Sequence, residues 1–112
     1  MKNKPAKNQV QETLKAARAL IARPNGWTQG DECYVRTGYP TSYCSIGAIK
    51  EVATSQESAR RALRILARVI APRGSEVFAP IAYFNDARQR TKIEVLEAFD
   101  KAIEAAETSE GR

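Results

Sequence analysis

A chain of 112 residues with 43% apolar and 28% charged side chains is long enough to bury one core and too apolar to remain disordered. It contains no histidine. That absence removes the usual base of serine and cysteine triads, and two cysteines alone cannot complete a structural zinc site unless carboxylates join.

The first amphipathic segment is expected over residues 9–22, where Val10, Leu14, Ala17 and Ile21 recur at helical spacing and Leu20 widens the stripe. Asn8, with Gln11 three residues on, reads as a capping box, and Arg23, Pro24, Asn25 and Gly26 as the stop. Residues 1–7, bearing Lys2, Lys4 and Lys7, are expected to form a flexible basic arm. The arm lacks the apolar run of a secretory leader, and no stretch of the chain approaches membrane-spanning length. The expected location is therefore cytoplasmic, with no membrane partner.

From Trp27 to Thr41 the chain sets Gly30, Gly38 and Pro40 among polar residues, which predicts loop and leaves open a small hairpin around residues 33–36. A short helix is expected to start after Ser42 and run to residue 53, with Tyr43, Ile46, Ile49 and Val52 on one side and Gly47 as its weak point. Thr54 followed by Glu57 predicts a capped helix to about residue 71, its apolar face made by Ala59, Ala62, Leu63, Leu66, Val69 and Ile70. Pro72 and Gly74 stop it. Residues 75–86 predict a short helix that tolerates Pro80 in its first turn and plugs the core with Val77, Phe78, Ile81, Tyr83 and Phe84.

The closing helix is expected over residues 92–107, opened by a third box, Thr91 with Glu94, and lined by Val95, Leu96, Phe99, Ala102, Ile103 and Ala106. Alanine at 18 positions reinforces the helical reading. The fold class is mainly α: a compact bundle of four to five short helices, one domain over residues 8–107, with residues 108–112 as a flexible tail.

The net charge of +5 is unevenly spread. Residues 1–26 hold six basic side chains and one acidic, residues 54–74 five and one, and residues 93–112 two and six. Arg60, Arg61, Arg64 and Arg68 form a stripe opposite the apolar face of the third helix, about 12 Å long, that suits a phosphate backbone. The plainer reading is a solvated face, or one neutralised by Glu97, Asp100, Glu104 and Glu107 of the last helix. Aromatics interleaved with the stripe, as in single-strand binders, are lacking.

Cys33 and Cys44 are expected as free thiols in a reducing compartment. Cys44, placed in the first turn of a helix capped by Ser42, is the one candidate nucleophile or redox-sensitive thiol, set against a small buried apolar residue with no base nearby. Asn85 and Asp86 either cap local backbone or point into a cleft. Trp27 reads as a core anchor, and Tyr34, Tyr39 and Tyr43 as a recognition surface or a roof over the core. No phosphate-cradling glycine pattern occurs, and no metal or cofactor is expected.

Trp27, Thr28 and Gly30, then Cys44, Gly47 and Ala48, then Phe84, Asn85 and Asp86, then Thr91, Val95, Leu96 and Asp100 form an ordered series. In it the chain resembles an uncharacterised domain family of small bacterial and phage proteins, marked by W-T-x-G, C-x-x-G-A and F-N-D before a closing helix. The resemblance spans residues 16–106 and places Tyr43 where many relatives carry tryptophan. It implies a compact helical unit of phage or prophage origin and supplies no reaction. The expected function is a noncatalytic module that binds a protein partner through Trp27, Tyr34, Tyr39, Tyr43, Asn85 and Asp86. Nucleic-acid binding by the arginine stripe and thiol chemistry at Cys44 are the alternatives, and self-association is open.

Overall fold

The computed structural model describes residues 5–109, with side chains from residue 9 to 107. Among the described residues, five helices and a two-stranded ribbon follow in the order α1 (Pro5–Ala22), β1 (Cys33–Tyr34), β2 (Ser42–Tyr43), α2 (Ser45–Val52), α3 (Gln56–Ile70), α4 (Phe78–Asp86) and α5 (Lys92–Ser109). The mainly α bundle expected from periodicity is the observed architecture.

Val10, Leu14, Ala17 and Ile21 of α1 are all buried, together with Val95, Phe99, Ala102 and Ala106 of α5. Each fully buried leucine or isoleucine contributes about 1.5–3 kcal/mol through its removal from water. The two helices run antiparallel: Gln11 Nε2 donates to the Ile103 carbonyl at 3.1 Å, and Arg18 Nε meets Asp100 at 2.6 Å. Leu63 and Leu66 from α3, Ile46 and Ile49 from α2 and Ile81 from α4 join the same core.

Several element starts differ from the sequence reading. Helix α1 begins at Pro5, so Asn8 lies inside it rather than capping it, and residues 5–7 of the expected arm are helical. A proline suits a first helical position, where no N–H is needed. The rest of that arm, residues 1–4, lies outside the described residues. At the other end α5 continues to Ser109, two residues into the expected tail, whose remaining residues 110–112 are also outside the description.

Ser42 belongs to β2, and the cap of α2 is Cys44, whose Sγ accepts from the Gly47 N–H at 3.4 Å. The cap of α3 is Ser55, not Thr54; its hydroxyl accepts from the Ser58 N–H at 3.1 Å. The third box forms as predicted: the Glu94 N–H donates to Thr91 Oγ1 at 3.2 Å, and the Thr91 N–H to Glu94 Oε1 at 3.0 Å.

The ribbon is antiparallel, pairing Cys33 with Tyr43 and Tyr34 with Ser42. It is the hairpin that the loop left open, closed by a partner strand just beyond residue 41. Trp27 bridges to Tyr43 on the other side: the Thr28 N–H donates to the Tyr43 carbonyl at 3.0 Å and the Tyr43 N–H to the Gly26 carbonyl at 2.8 Å. Gly26 is the only residue type that fits the turn after α1, since a Cβ there would lie 2.3 Å from the Leu20 carbonyl oxygen.

Candidate functional site

Three chain segments meet at the C-terminal end of α4, and the joint is the side chain of Asn85, 1% exposed. Its Oδ1 accepts from Trp27 Nε1 at 2.9 Å, from the Ser45 N–H at 3.0 Å and from Ser45 Oγ at 2.7 Å. Its Nδ2 donates to the Thr28 carbonyl at 3.1 Å and to Asp86 Oδ1 at 2.9 Å. A buried amide carries two donors and an acceptor oxygen that must be matched, and here all are.

The neighbours extend the joint. Asp86 Oδ1 also accepts from the Gly30 N–H at 3.0 Å, and Gln29 Nε2 donates to the carbonyls of Asn85 and Ala87, each at 3.0 Å. Those carbonyls belong to the unsatisfied last turn of α4. Arg90 closes the same turn, giving Nε to the Phe84 carbonyl at 2.7 Å with its guanidinium 3.7 Å above the Phe84 ring. Lys92 and Arg23 strap the loop's far side, Lys92 Nζ reaching the Arg23 carbonyl at 2.7 Å and Arg23 Nη2 the Thr41 carbonyl at 2.9 Å.

Gly47 lets a further piece of loop sit on α2. The Cys44 N–H donates to the Glu32 carbonyl at 3.0 Å, and a Cβ on Gly47 would stand 1.9 Å from that carbonyl oxygen. Gly47 is thus a contact surface for the loop, not only the weak point of a helix. Trp27 and Thr28, Cys44 and Gly47, and Asn85 and Asp86 therefore close one structure from segments far apart in sequence.

The chain belongs to DUF6197, a family of unknown function, whose model matches residues 5–105. Among curated proteins and solved structures no match was found. In this DUF6197 chain the motif residues act chiefly on one another. Trp27 and Tyr43 are half-buried against the core, Asn85 lies behind the surface, and Asp86 is exposed at its edge. What stands outward is the loop itself: residues 29–40 are all exposed, with Tyr34 at 50%, Val35 at 72% and Tyr39 at 55%. Arg36 lies 4.1 Å from the Tyr39 ring centroid, and the turn is closed by the Tyr39 N–H on the Arg36 carbonyl at 3.0 Å.

Cys44 is buried, while Cys33 is exposed, and both thiols are free. Burial pushes the Cys44 thiol above its ordinary value of 9.0, and the negative charges of Asp86 and Glu32 add to the rise; N–H groups of Gly47 and Ile46 oppose it without prevailing. Of the two readings of Cys44, burial favours the small core residue over a reactive thiolate, because desolvation outweighs the helix-start N–H groups.

Arg60, Arg61 and Arg64 are exposed on α3, and Arg68 is half-buried. Arg60 and Arg61 both pair with Glu57, at 2.8 and 2.7 Å, and Arg68 donates to the Glu76 carbonyl. Asp100 of α5 is engaged by Arg18 instead. Among the described residues no group of three acidic or cysteine side chains is placed to hold a metal, and no helix is long and apolar enough to cross a membrane. Sequence reading missed Gln29, Ser45, Arg90 and Arg23. Their partners lie up to 69 residues away, and only Gln29 and Ser45, beside motif residues, carried a local hint.

Proposed function

We propose that this protein is a noncatalytic interaction module that binds a protein partner through the 28–41 loop. The observation that carries the reading is the outward presentation of Tyr34, Val35 and Tyr39 on a loop whose base is fastened to α2 and α4 by Asn85. Tyrosine offers a large amphipathic contact area, and a loop held in place forfeits less entropy on docking than a free one. Asp86 supplies a polar rim, while Trp27, Tyr43 and Asn85 serve from behind by fixing the loop. Cys44 enters this reading as a core thiol, and the arginine stripe takes no part in it.

The test is photocrosslinking from position 35, with exposed Lys15 as the control position. A discrete adduct from position 35 and none from position 15 is expected. Changing Tyr34 and Tyr39 together to alanine should weaken the captured partner's affinity by about tenfold or more, the usual effect of removing central aromatic contacts. Undiminished affinity in a double variant with an unaltered circular dichroism spectrum would reject the reading.

A further inference from the structure

A separate concavity lies where the end of α2, the start of α3 and the start of α4 converge. It holds about 700 Å³, within the roughly 300–1,000 Å³ of small-molecule sites. Its floor is apolar, made chiefly by Ala59, Leu63, Val77 and Phe78, and 55% of Phe78 remains open to solvent. Its charged wall has one sign: Lys50, Arg60 and Arg64 line it, and no carboxylate does.

Those cations are available. Lys50 holds Glu32 at 3.0 Å and Arg60 holds Glu57 at 2.8 Å, but both pairs are exposed on each side, and such pairs exchange partners at little cost. Arg64 makes no hydrogen bond or ion pair among the described residues. Arg60 and Arg64 stand one turn apart on α3, so a single anionic head can take both guanidinium groups. The positive end of the α3 dipole, at Gln56, borders the same space.

We propose that this groove binds a small amphiphilic anion, an aliphatic carboxylate whose apolar body lies on Leu63 and Phe78 and whose head is held by Arg60 and Arg64. The head group explains the one-signed wall, and the body explains an uncovered phenylalanine. A single head reaching two adjacent arginines favours one small molecule over a string of peptide anchors.

The test is titration of the full ¹⁵N-labelled chain with decanoate, alongside decanol and decyltrimethylammonium. Saturable shifts confined to residues 53–64 and 77–79 are expected with decanoate, at least about tenfold weaker with the cationic probe. Arg64→Glu should weaken decanoate by about tenfold or more, and Ala59→Trp, which fills the floor, should abolish binding. Arg64→Gln, a neutral change at an exposed position, guards against misfolding of either variant and should also weaken binding.

Equal affinity for the cationic probe, shifts scattered over the whole surface, or no effect of Arg64→Gln would overturn the proposal. Displacement of decanoate by an acidic amphipathic peptide of higher affinity would reassign the groove to a protein ligand and reject the small-molecule reading. A dimer in sedimentation that Arg64→Glu dissolves, with no decanoate shift, would reassign it to a second copy and likewise reject it.

Discussion

The Asn85 side chain joins three segments of the chain through five hydrogen bonds. Replacing it with alanine strands the Trp27 indole N–H, the Ser45 N–H and the Ser45 hydroxyl in a buried place. Unsatisfied buried groups cost about 1–3 kcal/mol each, so Asn85→Ala should lower stability by roughly 3–5 kcal/mol in urea unfolding. Trp27 is the one tryptophan, so its emission should shift to the red before the helices melt. A blue, unmoved spectrum with unchanged stability would show that the joint bears no load. The role of Asn85 was not legible in the sequence because its partners other than Asp86 sit 40 to 58 residues away; local spacing offered only turn capping or an outward-facing contact.

Two thiols give a direct check at the same scale. Iodoacetamide at pH 8 should modify exposed Cys33 quickly and leave buried Cys44 unmodified until the protein unfolds, giving a single adduct by mass spectrometry. Because burial raises the Cys44 pKa above 9.0, the unfolded chain loses that proton first as pH climbs. Its contribution to stability is thus complete below about pH 9 and fades at higher pH. The acid limb has the opposite sign: Glu57, held by the Arg61 hydrogen bond, and Glu94, held by the Thr91 N–H, both sit below the ordinary 4.5. Their contributions are present above about pH 4.5 and are lost as pH falls through the depressed values.

At the scale of elements, Gly47 sets helix propensity against loop packing. Alanine would favour α2 by about 1 kcal/mol on propensity alone. Its Cβ, however, would meet the Glu32 carbonyl oxygen at 1.9 Å, and that contact must give way along with the Cys44 N–H bond to Glu32. Gly47→Ala should therefore destabilise by about 2–3 kcal/mol; stabilisation in thermal melts would mean the loop does not sit on α2. Thr91→Ala should cost about 1 kcal/mol through loss of the α5 cap.

The helices were readable because each carries its apolar stripe within a dozen residues, and the Thr91–Glu94 box because both partners are three residues apart. Starts slipped where hydroxyls were adjacent, as at Thr54 and Ser55, since local spacing fits either and the hydroxyl that accepts from the Ser58 N–H is that of Ser55. Cys44 slipped likewise: a sulfur took the capping place expected of the Ser42 hydroxyl, freeing Ser42 for the ribbon. The groove at Phe78 was invisible because three elements build it, and only their packing leaves that ring uncovered.

For the whole molecule, the net charge of +5 favours a general attraction to polyanions. Four arginines neutralising phosphates would give a salt slope of about −3.6 in log affinity against log salt. As a solvated face whose cations do not track one phosphate strand, the stripe should bind duplex DNA with a slope of about −1 to −2 at most. A measured slope near the four-phosphate value in a salt series would restore the nucleic-acid reading.

The antiparallel embrace of α1 and α5 bears on how the polypeptide is made. The bonds that join them span 92 and 82 residues, so during synthesis the part of the Val10, Leu14 and Ile21 stripe that α5 covers emerges from the ribosome long before that helix does. Contacts of such separation form late and leave greasy surface bare meanwhile. A nascent chain stalled before residue 92 should therefore stay protease-sensitive and recruit holding chaperones, and release of the last eighteen helical residues should be the event that seals it.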